Sequence, residues 1–368
     1  HEVHFVALDS NGNAEGIERS SEYCSRAYPV KHTVPAQGSP AFVAQFARHA
    51  LSSVPLAVQR FASKAMRALV ADLVERERFD HIVCDFLAAA PNIPCIERAV
   101  LFQHNVETII WERREENARN AVVRAVYGSQ RRRMFDYERE VCRTVRHVIA
   151  VSEEDARRMR EMFGVSRVSH VPTGVDTEFF APPAGAPVRH DLVFVGSMDW
   201  APNVDGMLYF LAEVLPLIRR ERPDCRGAIV GRTPGKEILD AAARDPLLTV
   251  TGTVPNIRPY LWESAVSIVP LRIGGGTRLK IFEAMAAKIP VVSTTVGAEG
   301  LPVVHGRHLF LADDAASFAA RCLELLRDED ARRAMADEAW RLVQAHFSWE
   351  HAARRFEEEL TRSVGAAV

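Results

Sequence analysis

Short apolar runs alternate with amphipathic stretches along the whole chain, and no other feature of the sequence constrains the fold as strongly. Within the 368 residues, the runs His81-Ile82-Val83-Cys84 and Val100-Leu101-Phe102 have the apolar character of strands buried on both faces of a sheet. The stretches between such segments carry the spacing of helices. Repeated strand–helix–strand units build parallel sheets, so the sequence predicts an α/β protein.

The predicted elements form two series. In the first, strands are predicted at 3–9, 29–35, 81–86, 99–104 and 147–152, and helices at 41–52, 55–78 and 107–145. In the second, strands are predicted at 191–196, 226–230, 248–251, 266–270, 291–295 and 308–311, and helices at 203–221, 235–243, 256–263, 277–287, 314–345 and 350–362.

A turn-like stretch and a linker-like segment separate the two series, at 172–176 and 181–187. We therefore predict a first domain over 1–185, a second over 186–346, and a C-terminal helical segment over 347–368. Because the chain opens directly in a predicted strand without an initiator Met, we also expect the first strand and helix of the first domain to be missing.

Composition narrows the classes of function. The formal net charge of −2 argues against wholesale nucleic-acid binding, which normally requires a basic domain. No apolar run approaches the roughly 20 residues of a membrane-spanning helix. The six scattered cysteines form no CxxC pair, which favours reduced thiols over disulfides or a zinc site and predicts a cytoplasmic protein.

A glycine-rich segment, LRIGGGTRLKIFEAMA at 271–286, carries the strongest chemical signal. It follows a predicted strand and leads into a predicted helix. Glycines allow a backbone to approach a ligand closely, and the free N–H groups of a helix start bind phosphate. A glycine-rich turn followed by a surface Lys–Glu pair is the alternative interpretation. The residues placed at this turn are Gly274, Gly275, Gly276 and Thr277.

Helical spacing sorts the side chains that follow. Leu279 and Phe282 are predicted to face the core, whereas Lys280 and Glu283 share another face. Lys280 or Arg278 could meet a diphosphate, and Glu283 could accept hydrogen bonds from ribose hydroxyls.

This segment, with its continuation over 290–301, resembles the donor-binding region of the family 4 glycosyltransferases, in particular the bacterial exopolysaccharide or cell-envelope subgroup. Three further strings carry the resemblance: FVGSMDW at 194–200, VPTGVD at 171–176 and VSEED at 151–155. The resemblance implies a GT-B fold, with two Rossmann-like domains facing each other across a cleft and a C-terminal helix that crosses back to the first domain.

The resemblance also implies an activity: transfer of a sugar from a nucleotide-diphosphate sugar to a glycan or lipid-linked acceptor, with retention at the anomeric carbon, without metal and without a cofactor. The donor site would include Glu283, the second Glu of the E-x7-E pattern of the family. Its other members would be Gly196, Ser197, Gly231, Arg232, Thr253 and Val254.

The sequence departs from the family pattern in two places. Gly275 stands where the first Glu of E-x7-E contacts the donor sugar, and the basic pair after the Gly196 strand is missing, with Ser197 and Asn203 nearby instead. We therefore expect Arg278 and Lys280 to neutralise the leaving diphosphate.

On the acceptor side, His104 ends a predicted strand and resembles the acceptor-side histidine of the family. It could contact the transferred sugar or the attacking hydroxyl, or be a structural histidine. Asn105, Glu107 and Asp85 are weaker candidates.

The run Arg131-Arg132-Arg133 is interpreted as a solvated helix face or as a patch for phosphate or a membrane surface. Two other functions remain open from the sequence: a nucleotide-sugar epimerase, which shares the architecture, and a non-catalytic scaffold. A nicotinamide dehydrogenase would need a G-x-G-x-x-G after the first strand, which the sequence lacks.

Overall fold

A computed structural model describes residues 1–9, 14–35, 39–40, 52–116, 118, 120–273 and 279–365. The chain divides into two compact units. One contains the chain up to Val171 together with the residues from Glu357 on, and the other extends from Pro172 to Phe356.

Every neighbouring pair of strands in the first unit is parallel. A two-stranded sheet pairs β1 with β2, and a four-stranded sheet has the order β3-β4-β5-β6. These strands are β1 His4–Asp9, β2 Arg26–Lys31, β3 Ile82–Asp85, β4 Ala99–Gln103, β5 His147–Ala150 and β6 Val168–His170. The α-helices are α1 Ala14–Glu18, α2 Leu56–Gln59, α3 Lys64–Arg76, α4 Glu107–Glu116, α5 Ala121–Thr144 and α6 Glu153–Phe163, with 3-10 turns at Arg19–Glu22, Leu87–Asn92 and Ile96–Arg98.

The second unit contains one six-stranded parallel sheet of order β12-β11-β10-β7-β8-β9. Its strands are β7 His190–Val195, β8 Gly227–Val230, β9 Leu248–Val250, β10 Ser264–Val269, β11 Val291–Ser293 and β12 Phe310–Leu311. Counted from β7, this is the 3-2-1-4-5-6 order of the Rossmann fold. The order reverses between β7 and β10, and ligands of such sheets bind at the carboxyl ends of the strands beside that switch point.

Helices complete the second unit. They are α7 Ala201–Tyr209, a π-helical turn Phe210–Val214, α8 Leu215–Glu221, α9 Lys236–Ala243, α10 Arg258–Trp262, α11 Leu279–Ala286, α12 Ala315–Arg327, α13 Glu329–His346 and α14 Trp349–Gly365. All six residues of β10 are buried, as expected for a central parallel strand. In the first unit, β4 is buried along most of its length as predicted, whereas β3 is not buried on both faces, because Val83 is exposed.

Three predicted helices are each divided in the structure, and each division has the same physical cause. The predicted helix 107–145 is wrong as one element, because the Asn120 side chain accepts from the Val123 N–H at 2.9 Å and starts α5. Asp328 starts α13 within the predicted 314–345 in the same way, and Ser63 starts α3 within 55–78. Asn, Asp and Ser inside a periodic pattern are strong N-caps, and the prediction overlooked them.

Helix α6 and strand β6 were not predicted, and neither were α1 and the 3-10 turns of the first unit. Helix α6 is capped by Ser152, whose hydroxyl accepts from the Asp155 N–H, and ends at Gly164 with φ of 64°. Strand β6 is too short and polar to stand out in the sequence. The predicted strand 29–35 lies earlier, at β2, and most of the predicted helix 41–52 lies outside the described residues.

The chain passes from the first unit to the second at Val171 and returns within α14, and both segments are joined inside the second unit. The Val175 N–H donates to the Phe347 carbonyl at 2.7 Å, and the Trp349 indole donates to the Gly174 carbonyl at 3.2 Å. A Cβ on Gly174 would lie 3.0 Å from Cα of Trp349, so glycine permits this close packing.

The predicted linker 181–187 lies inside the second unit. The residues just before it are held by α10. Arg258 lies 3.7 Å from the ring centroid of Phe179 and donates to its carbonyl, while the Trp262 indole donates to the Phe180 carbonyl at 2.8 Å.

Candidate active site

The backbone at the switch point of the six-stranded sheet is packed too tightly for side chains. Strands β7 and β8 end at adjacent glycines, and the Gly196 N–H donates to the Val230 carbonyl at 2.9 Å. A Cβ on Gly231 would lie 1.9 Å from the Gly196 carbonyl oxygen, far inside contact distance. Glycine at this position is therefore a steric requirement of the edge where a ligand would bind.

Replacing Gly231 with Ala is expected to destabilise the protein by about 1–3 kcal/mol, because the added methyl forces the β7 and β8 loops apart. Gly235→Ala is the matched control, since Gly235 lies in the same loop with φ of −69° and an added methyl there would meet no atom within 4 Å. Urea unfolding of both variants measures the difference. Equal stability of the two variants would contradict the steric account.

Lys280, on α11, extends to the end of β7. Its ammonium donates to Oδ1 of Asn203 at 2.5 Å and lies 4.6 Å from the ring centroid of Phe194. A Cβ on Gly196 would lie 3.0 Å from Nζ, so the absence of a side chain there gives the ammonium its place. A positive charge is thus held directly over the backbone at the switch point.

Asn203 holds the Lys280 ammonium in this position. Its side chain is buried, and while its oxygen accepts from Lys280, its Nδ2 donates to the Ser197 carbonyl at 2.7 Å. Pro202 stands in the first turn of α7, where its missing N–H has no cost. Asn203 therefore joins the loop after β7 to the lysine.

The loop after β7 and the loop after β8 are also linked by a polar cluster of Ser197, Asp199 and Arg232. The Ser197 hydroxyl donates to Asp199 at 2.6 Å and accepts from Nε of Arg232 at 2.8 Å, and Arg232 forms an ion pair with Asp199 at 3.2 Å. The Ser197 hydrogen bond holds the pKa of the Asp199 carboxyl below its ordinary value. Trp200 is the next residue in the loop after β7 and is 39% exposed. Its ring centroid lies 5.8 Å from the Lys280 ammonium.

Glu283 lies one turn after Lys280 on α11. Burial raises the pKa of its carboxyl, and the nearby Lys280 charge acts in the opposite direction. Within the described ranges, no hydrogen bond reaches this carboxylate, whose acceptor oxygens are free for a ligand.

The remaining donor-site predictions lie at other points of this edge or beyond the described residues. Strand β9 is followed by Thr251 and Gly252. Gly252 has φ of 67° and turns the chain just before Thr253 and Val254. Thr253 is exposed, and Val254 packs against the apolar core. Five predicted residues lie outside the described residues: Gly274, Gly275, Gly276, Thr277 and Arg278.

In the first unit, the structure brings two predicted residues together at the carboxyl ends of β3 and β4. Nε2 of His104 and Oδ1 of Asp85 are 2.7 Å apart. The Phe86 ring stacks on the imidazole with centroids 4.0 Å apart, and Phe102 lies against it at 4.4 Å. Phe86 has φ of 69°, a conformation that costs energy for a bulky residue and places its ring over His104. The orientation of the imidazole is thus fixed by contacts with Asp85, Phe86 and Phe102.

A residue that the sequence analysis missed anchors the segment after His104. The Glu138 side chain is fully buried, and its carboxylate accepts from the backbone N–H groups of Glu107 and Thr108, each at 2.9 Å. Its position three and four residues before the buried Val141 and Cys142 is a sequence signal, because a carboxylate on an apolar helix face requires buried partners. Burial raises the pKa of the Glu107 carboxyl. Asn105 lies in the same loop and is half-buried.

The arginine run on α5 is engaged within the fold. Arg131 pairs with Glu115 at 2.6 Å, Arg132 donates to the Gly128 carbonyl at 3.4 Å, and Arg133 also has a partner. No helix in the described part of the chain is long and apolar enough to cross a membrane.

All six cysteines, each within the described ranges, are free thiols; four are buried, whereas Cys24 and Cys95 are half-buried. Among the residues that the structure describes, no group of three or more His, Cys, Asp or Glu side chains is placed to hold a metal ion.

Two family models match this chain. Glycosyltransferase Family 4 matches residues 1–179, and Glycosyl transferases group 1 matches residues 189–328, so that together they span most of the chain. The chain therefore belongs to the family 4 glycosyltransferases and is a glycosyltransferase, which confirms the family and the enzyme class predicted from the sequence. An uncharacterized 44.6 kDa protein of the cps region of Klebsiella pneumoniae is 19% identical over 300 residues, 76% of this chain and 74% of that protein.

Solved structures show the same fold. Sucrose-phosphate synthase from Thermosynechococcus elongatus matches with a TM-score of 0.68 and 16% identity, covering 100% of both chains. HepE from Anabaena, in complex with UDP and glucose, matches with a TM-score of 0.68 and 14% identity, covering 98% of this chain and 100% of that one. The protein has the GT-B fold, as predicted.

Proposed function

We propose that this glycosyltransferase moves a sugar from a nucleotide-diphosphate donor to a glycan or lipid-linked acceptor, with retention and without a metal ion. The observation that carries the proposal is the Lys280 ammonium, held over Gly196 at the switch point. As the bond between sugar and diphosphate breaks, negative charge develops on the leaving group. A cation fixed in advance where that charge develops lowers the barrier.

The surrounding groups fit the parts of such a donor. Gly196 and Gly231 allow the ends of β7 and β8 to pack closely at the edge assigned to the diphosphate, and Glu283 presents acceptor oxygens suited to ribose hydroxyls. The backbone at Thr253 and Val254 is assigned to the base. Gly274, Gly275, Gly276, Thr277 and Arg278 are proposed to complete the phosphate site. The HepE structure with UDP and glucose supports a nucleotide sugar as the donor.

His104 is proposed to act on the acceptor side, on the transferred sugar or the attacking hydroxyl. Its hydrogen bond to Asp85 fixes the tautomer and orientation of the ring, which is the geometry that a hydrogen-bonding role requires. Asn105 and Glu107 remain weaker candidates there. The likeness to a cps-region protein supports a capsular or cell-envelope polysaccharide as the pathway context.

The experiment is to incubate the protein with a panel of UDP- and GDP-sugars and a set of glycan and lipid-linked acceptors, and to measure the nucleotide diphosphate released, with and without EDTA. Proton NMR of the first sugar product identifies its anomer. We expect turnover of one donor class, an unchanged rate in EDTA and retention of the donor configuration. Release of no nucleotide from any donor would contradict donor transfer, whereas loss of the rate in EDTA or an inverted anomer would overturn those two parts alone.

A further inference from the structure

Glu138 connects both ends of the loop that carries His104. One carboxylate oxygen accepts from Nε2 of Gln103, the last residue of β4, and from the Glu107 N–H, each at 2.9 Å. The other accepts from the N–H of Thr108 at 2.9 Å and its hydroxyl at 2.6 Å. The loop 104–106 lies between these donors along the chain, so a single side chain holds the strand end before it and the helix start after it.

The anchor is rigid for physical reasons. Glu138 and Thr108 are buried, and Val106 between them is also buried in the apolar core. The carboxylate satisfies the first N–H groups of α4, which have no partner within the helix, and its negative charge is favoured at that helix end. Because four donors converge on two oxygens, the ionised carboxylate satisfies them all, and the group has no acceptor capacity to spare.

We propose that Glu138 is a positioning residue for the acceptor side of the reaction: its carboxylate holds the His104 loop in its working geometry without touching substrate. This inference rests on the proposed function of His104. It also explains why a carboxylate is buried in an apolar core, where an unpartnered charge would be costly.

Protonation would release the anchor. Burial raises the pKa of Glu138 to about 7, while the hydrogen bonds from Thr108, Glu107 and Gln103 act in the opposite direction. A protonated carboxyl group carries a donor hydrogen and must lose at least one of the four bonds. Two titratable groups lie close by: the Cys142 thiol, whose pKa is raised by burial and by Glu138, and Glu107, whose pKa is raised by burial.

Stability and loop order should therefore respond oppositely to pH. Because the folded-state pKa is raised above the unfolded value, the contribution of this group to stability is present at low pH and is lost as pH rises through about 7. The hydrogen bonds that order the loop need the ionised form and are gained over the same range. If Glu138 were purely structural, the stability of the protein would change with pH but the order of the His104 loop would not.

The test is Glu138→Gln, which keeps the shape but turns an NH2 group toward two of the donors. Amide hydrogen exchange of the segment 104–108 at pH 8 is expected to accelerate about tenfold or more, with little change elsewhere. Release of nucleotide from the best donor of the panel is expected to fall about tenfold in kcat, with the donor KM unchanged. The wild-type fall in kcat as pH drops through about 7 should be absent in the variant.

Two further variants keep the proposal falsifiable. Thr108→Val removes only the hydroxyl bond and should change the same quantities less, even if Glu138→Gln folds poorly. Glu140→Gln makes the same chemical change on the exposed face of α5 and should have no effect. Unchanged exchange and kcat in both Glu138→Gln and Thr108→Val would overturn the proposal. If the wild type releases no nucleotide, the proposed function fails, whereas the exchange measurement still tests the anchor.

Discussion

Replacing Lys280 with Met is expected to lower kcat about 100- to 1,000-fold for the preferred donor, because the fixed positive charge at the switch point is lost. Methionine keeps the length of the side chain and its packing against Phe194, so the fold should be preserved. Steady-state release of nucleotide diphosphate measures the effect. Lys280→Arg keeps the charge and should recover part of the rate.

Lys288→Asn is the matched control. Lys288 follows the same helix with φ of 55°, a conformation that Asn tolerates, and its ion pair with Asp337 is exposed. This variant removes one positive charge at the opposite end of α11 from Lys280 and should retain wild-type kcat. If Lys280→Met kept more than about half of the activity, the electrostatic role of Lys280 would be wrong.

Replacing His104 with Phe is expected to lower kcat about 100-fold or more, in the range found for loss of a positioned hydrogen-bonding or acid–base group. A phenyl ring can keep the stacking with Phe86 and Phe102, so the variant removes the ring nitrogens more than the packing. Because His104 belongs to the first unit, nucleotide binding by the second unit should be unchanged.

The control is His81→Phe, at the amino end of β3, whereas Asp85 stands at its carboxyl end. The same substitution away from the carboxyl edge should leave kcat unaltered. If His104→Phe were as active as His81→Phe, His104 would be a structural histidine and not an acceptor-side residue.

The fold could be predicted from the sequence because strands buried on both faces leave a strong local signal. Segments around β7 and β10 were placed within a few residues, since their apolar runs have no competing interpretation. The divisions at Asn120 and Asp328 were missed because helical periodicity continues through an N-cap, and the capping residues were given less weight than the periodicity. Strand β6 depends on pairing with β5, which is a tertiary contact.

The candidate site was predictable where chain order places residues at strand ends, as for Gly196, Gly231 and His104. Which groups meet was not, because the bond between Lys280 and Asn203 joins residues 77 positions apart. The role of Glu138 depends in the same way on the approach of α5 to the start of α4. Position in the sequence identifies candidates, whereas their partners are determined by packing.

The measurement that tests the central claim most directly is thermal unfolding of the wild type with UDP and with GDP, repeated on Glu283→Ala. A ligand that binds the folded state alone raises its stability by about 2.7 kcal/mol at a hundredfold excess over Kd. We predict that one of the two nucleotides raises the Tm of the wild type and that Glu283→Ala reduces the shift. The absence of any shift with either nucleotide would contradict the donor site at the switch point of the six-stranded sheet.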